Sequence, residues 1–65
     1  MKLQSVFEFG KEINGVYWII TIETYKTMRY VIAQRFGWAF PSYNERVSLK
    51  EDAVKYITDM IKSNK

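Results

Sequence analysis

Ile13-Asn14-Gly15-Val16 is the stretch that decides the fold, because it sits between two runs of alternating apolar and polar residues. Asn-Gly favours a type I′ turn, since both central residues adopt positive φ at little cost. A two-residue turn sets the register of everything that flanks it. Ile13 then faces Val16, Lys11 faces Trp18, Phe9 faces Ile20 and Phe7 faces Ile22. Side chains alternate across a strand, so one face carries Phe7, Phe9, Ile13, Val16, Trp18, Ile20 and Ile22. The other carries Glu8, Glu12, Tyr17, Ile19, Thr21 and Glu23. The first reads as a core face and the second as a wet one, on strands of about 5–13 and 16–25.

Working outward, a second turn is expected within Tyr25-Lys26-Thr27-Met28-Arg29, followed by a third strand over about 29–36. No Gly or Asn pins that turn. The favoured register puts Tyr30, Ile32 and Phe36 on the core face and Arg29, Val31, Ala33 and Arg35 outside. A slip of one residue inverts this assignment. Residues 37–47 read as a loop, with Pro41-Ser42 and Asn44 as turn residues. Ser48-Leu49-Lys50-Glu51 reads as a capping box opening a helix over 48–62. Leu49, Ala53, Tyr56, Ile57, Met60 and Ile61 fall on one stripe at helical spacing. Glu51 and Lys55 are spaced to pair, and Lys62 and Lys65 complement the helix dipole. The expected architecture is a single α+β domain over 1–65: a two-layer β-β-β-α arrangement, with a three-stranded antiparallel sheet packed against one C-terminal helix.

A chain of 65 residues buries only about 60% of the surface its unfolded form exposes, and one core of that size supplies about 3–5 kcal/mol. The composition suits a dense core, at 48% hydrophobic and 17% aromatic. Histidine and cysteine are both absent. Those two residue types supply the proton carriers, nucleophiles and soft metal ligands of most compact catalytic sites. Glu8 and Glu12 share a strand face, but a solvated sheet face offers no pocket to desolvate an acid. Gly10, Gly15 and Gly37 are too scattered to cradle a phosphate. The expectation is therefore a non-enzymatic chain with no cofactor and no metal. No apolar run approaches the ~20 residues of a membrane span, and Met-Lys-Leu-Gln followed by Glu8 does not read as a signal peptide. The expected setting is cytoplasmic, away from membranes.

The formal net charge of +3 is uneven. Residues 1–25 carry Lys2 and Lys11 against Glu8, Glu12 and Glu23. Residues 26–44 carry Lys26, Arg29 and Arg35 with no acid, and residues 45–65 are nearly balanced. From Tyr25 to Arg46 the basic residues interleave with Tyr25, Tyr30, Phe36, Trp38, Phe40 and Tyr43. Trp, Tyr and Arg are enriched at protein hot spots, and the same mixture of cations and flat rings serves nucleic-acid surfaces. The candidate partner-binding residues are Tyr17, Arg29, Arg35, Trp38, Phe40, Tyr43 and Arg46. A nucleic-acid alternative would use Lys26, Arg29, Arg35 and Arg46. A third possibility is a structural homo-oligomer, joined through Tyr17, Ile19 and Val31 on the outer sheet face.

Three strands followed by a helix resemble the small DNA-binding modules at the start of some phage-type integrases, and the AP2 plant domain. The residues that carry the likeness are Trp18-Ile19-Ile20, Arg29 and Ser48-Leu49-Lys50-Glu51-Asp52-Ala53. The resemblance implies a sheet placed in the DNA major groove. Glu8, Glu12 and Glu23, and the long aromatic segment, depart from that pattern. The leading expectation is accordingly a small protein-binding regulator or inhibitor, of the kind encoded by phages and mobile elements.

Overall fold

The computed structural model describes residues 2–64, so Lys65 lies outside the described residues. The chain runs β1 (Leu3–Ile13), β2 (Val16–Tyr25), β3 (Met28–Arg35), β4 (Tyr43–Ser48) and α1 (Ala53–Ser63). The four strands form one antiparallel sheet in the order β1-β2-β3-β4. Asn14 and Gly15 take positive φ, at 51° and 80°, and the β1–β2 register is the one the turn dictates: Ile13↔Val16, Lys11↔Trp18, Phe9↔Ile20 and Phe7↔Ile22.

The sheet has four strands rather than three. Part of the expected 37–47 loop is β4, where Tyr43, Glu45 and Val47 turn toward the helix side and Asn44 and Arg46 turn away. A charged Glu45 between two inward apolar residues hides this alternation in the sequence. The register of β3 is also the reverse of the expected one. Ile22 pairs with Val31 and Ile20 with Ala33, and Val31 and Ala33 are fully buried. The connection at Lys26-Thr27 occupies only two residues, which sets this parity. The small Val31 and Ala33 let the helix approach closely, while the bulkier Tyr30 and Ile32 lie half-buried on the other face.

The helix begins later than the capping-box reading expects. Ser48 ends β4, and its hydroxyl and carbonyl accept from the backbone N–H groups of Lys50 (3.2 Å) and Glu51 (3.1 Å), closing a turn. Asp52 is the N-cap, accepting from the Lys55 N–H at 3.1 Å. Leu49 is consequently exposed rather than part of the buried stripe. Ala53, Ile57 and Ile61 pack onto Ile13, Trp18, Ile20, Val31, Ala33 and Val47 to make the core. Lys11 belongs to this face too, its ammonium donating to the buried Thr58 hydroxyl at 3.1 Å. Lys55 pairs with Asp59 at 2.8 Å, one helical turn on, where Glu51 was the expected partner.

The β3 register generates a direct test. Val31→Asp should abolish the folded circular dichroism spectrum by burying an unpaired carboxylate. Ile32→Asp, one residue along, should retain it. Ile57→Ala should cost about 2–5 kcal/mol in urea unfolding, enough to leave a domain of this size marginal.

Candidate functional site

One end of the sheet gathers the β1–β2 turn, the segment 36–42 that joins β3 to β4, and the end of α1. The segment 36–42 is fastened to the strands rather than hanging free. The Phe36 N–H donates to Tyr17 O (3.0 Å), the Trp38 N–H to Arg35 O (3.0 Å) and the Ser42 N–H to Ala33 O (2.9 Å). The Gln34 side-chain amide donates to Trp38 O. Gly37, at φ 88°, makes the reversal that no other residue type adopts cheaply.

This frame displays four aromatic side chains. Tyr17 is 50% exposed, Phe36 71%, Trp38 53% and Phe40 79%. Tyr17 and Phe36 meet edge to face with ring centroids 5.9 Å apart. The Arg35 guanidinium lies 4.5 Å from the Trp38 ring centroid, a cation–π arrangement, and makes no ion pair among the described residues. Gly10 gives the Tyr17 ring its place: a Cβ there would stand 1.8 Å from the Tyr17 hydroxyl and 2.4 Å from the ring carbon bearing it. On the helix-side face at this end, a groove of about 500 Å³ is lined by Ile13, Asn14, Val16, Trp18, Arg35, Ile61 and Asn64.

Tyr17, Arg35, Trp38 and Phe40 all lie at this end, but in two groups: Tyr17 meets Phe36 on the outer face, and Arg35, on the helix-side face, lies against Trp38. Phe36, expected in the core, joins the exposed group. Tyr43 is half-buried, its ring 5.8 Å from Trp18 and its hydroxyl accepting from the Asn64 amide at 3.1 Å, so it ties the helix end to the sheet. Arg29 lies at the opposite end, donating to the carbonyls of Leu49 (3.1 Å) and Glu51 (3.4 Å), where it holds the β4–α1 connection. Lys26 sits in the β2–β3 turn of that far end. Arg46 is exposed on the outer sheet face opposite Tyr30. Val31 is buried, which removes it from the outer-face patch.

The shifted titrations lie away from the aromatic end. The hydrogen bond with Asp59 raises the Lys55 pKa, and the same contact lowers that of the Asp59 carboxyl. Desolvation, and then the neighbouring Glu23 carboxylate, raise the Tyr25 phenol. Among the described residues no group of three or more acids could hold a metal ion, and no helix is long and apolar enough to cross a membrane. Comparison with known proteins found no matching family model, no similar protein and no similar solved structure.

Two substitutions separate scaffold from surface. Trp18 is buried with its indole Nε1 unpaired among the described residues, so Trp18→Phe should lose no hydrogen bond and cost less in urea unfolding than the about 3–5 kcal/mol of truncating a buried Trp to Ala. It also leaves Trp38 as the sole indole fluorophore. In that background Arg29→Ala should cost about 1 kcal/mol of stability without moving the Trp38 emission maximum.

Proposed function

We propose that this chain is a non-catalytic binding module whose aromatic end seats another protein, and that it acts as a small regulator or inhibitor. The observation that carries the reading is the exposure of Tyr17 on β2 and of Phe36, Trp38 and Phe40 on the adjoining segment, which is hydrogen-bonded to the sheet. Clustered exposed apolar rings mark contact surfaces. Rings held by backbone bonds lose little freedom when a partner arrives, which lowers the cost of ordering on association. Arg35 adds polarity at the same place: stacked on Trp38, it keeps its N–H groups for a carboxylate. The partner surface that fits is an apolar side chain flanked by an acidic residue.

The basic residues do not supply a competing surface of the same quality. Arg29 is engaged with two carbonyls, Arg35 stands at the other end of the sheet, and Arg29 and Arg46 project from opposite faces. The outer face that carries Arg46 also carries Glu8, Glu12 and Glu23, which repel phosphate.

Photocrosslinking from position 40, using Phe40→benzoylphenylalanine in the source cell, tests the reading. A crosslinked protein is expected, and Trp38→Ala should weaken its affinity about thirtyfold or more, on the order of 2 kcal/mol, with an unchanged circular dichroism spectrum. The reading is overturned if Trp38→Ala leaves affinity intact. It is equally overturned if the chain instead binds labelled DNA or RNA with a steep salt dependence removed by Lys26→Ala and Arg46→Ala.

A further inference from the structure

Where α1 ends, the helix-side face of the sheet keeps a recess. The groove of about 500 Å³ lies between the last turn of the helix and the β1–β2 turn. Ile13 and Val16 border it from the turn, Ile61 from the helix and Trp18 from the sheet. A cavity of this size, mostly apolar and with a few polar groups at fixed places, is the usual form of a small-molecule site. The polar residues here are Asn14, Asn64 and Arg35. Asn64 is held in place: its backbone N–H donates to the carbonyls of Met60 (3.2 Å) and Ile61 (3.3 Å), and its side-chain amide to the Tyr43 hydroxyl. The Trp18 indole Nε1 is itself buried, so polar recognition in the groove falls to the other three.

The charge of the groove has one sign. None of its lining residues is acidic, and Arg35 is its cation. The two other cations that β1 and β3 place on this face are committed. Lys11 donates to the Thr58 hydroxyl, and Arg29 to the carbonyls of Leu49 and Glu51. Arg35 is half-buried and makes no ion pair among the described residues. It pairs across the sheet with Trp18, and its guanidinium lies 4.5 Å from the Trp38 ring centroid. Stacking on a ring orients the planar group and leaves its N–H edge to donate, in a fork that matches a carboxylate. A half-buried cation has given up part of its hydration, and an anion set against it there gains more than it would in open water. The groove is bounded by turn, sheet and helix end, so it admits a slender apolar body and not the surface of a folded protein.

We propose that this groove binds a small monocarboxylic acid, its apolar body lying along Ile13, Val16, Trp18 and Ile61 and its carboxylate taken by Arg35. Tyr17, Phe36 and Phe40 take no part in it, so this site and the protein contact proposed above stand or fall separately. Octanoate is the probe, titrated into the isotope-labelled full chain and followed by NMR. Octanol and octylammonium, of equal chain length, are titrated alongside. Octanoate should move the backbone amide signals of Ile13, Val16, Ile61 and Asn64 and the Arg35 side-chain N–H saturably, with a dissociation constant of about 1 mM or below. The alcohol should bind about tenfold more weakly and the ammonium not at all, because only the acid gains a charge-assisted bond. Arg35→Gln should lower octanoate to the affinity of the alcohol and leave alcohol binding unchanged. A merely structural Arg35 would weaken both. Val16→Phe, which fills the groove, should remove both; if that variant fails to fold, the comparison of acid and alcohol on the wild type and on Arg35→Gln decides alone. The proposal is overturned by the absence of saturable shifts at the groove, or by shifts confined to Tyr17, Phe36 and Phe40. It is equally overturned if octanol binds as tightly as octanoate, or if Arg35→Gln leaves octanoate affinity intact.

Discussion

One helix must cover four strands, and it is too small to do so. A helix of 11 residues is roughly 16 Å long and 10 Å wide. The sheet it faces is roughly 14 Å across from the first strand axis to the last, and its two long strands extend for about 33 Å. Ala53, Ile57 and Ile61 therefore seal only a central strip, where Ile20 and Val31 reach full burial. Everything beyond the strip stays near water: the aromatic end, the Phe7 rim of β1 and the whole outer face. The exposed rings follow from this geometry as much as from their chemistry.

The strip also fixes the order in which the parts matter. Arg29 holds the β4–α1 connection by two carbonyls, and Asp52 caps the first turn of the helix. The Tyr43 hydroxyl receives the Asn64 amide at the far end. The helix is thus secured at both ends by polar contacts whose groups lie outside the apolar contact, and its lateral position is set by Lys11 reaching Thr58. The small residues Ala33 and Ala53 are buried in this interface beside aliphatic neighbours and the Trp18 ring, while Phe7, Tyr17, Phe36, Trp38 and Phe40 remain at the periphery.

What could be read from the chain alone divides along the same line. The β1–β2 hairpin was legible to the residue, because Asn14-Gly15 admits one turn geometry and alternation repeats the message. The β3 register was not, since Tyr30-Ile32 and Val31-Ala33 are both apolar sets one residue apart, and Lys26-Thr27 carries no backbone signature to choose between them. β4 was masked by Glu45, and the helix start by two residues, Ser48 and Asp52, each able to cap. At the candidate site, Trp38 and Phe40 stood out because an irregular segment cannot bury so many rings. Phe36 was misplaced with the β3 register. The structural duties of Arg29 and Tyr43 had no local signal, because their partners lie 20 or more residues away in sequence.

The strand order β1-β2-β3-β4 has a kinetic meaning. Every strand pairs with the one before it in the chain, and the first two reversals, at Asn14-Gly15 and Lys26-Thr27, are as short as hairpin loops can be. Little loop-closure entropy precedes each gain in pairing, so the search for this fold is mostly local and therefore quick for a sheet protein. The helix is the exception. It returns to strands made long before it, Lys11 among them, and its docking is what converts an open meander into a domain. Until α1 arrives, Ile20, Val31 and Ala33 lie uncovered on a sheet already in register, so a helix made after every strand it covers decides whether that face ends in a core or against another chain.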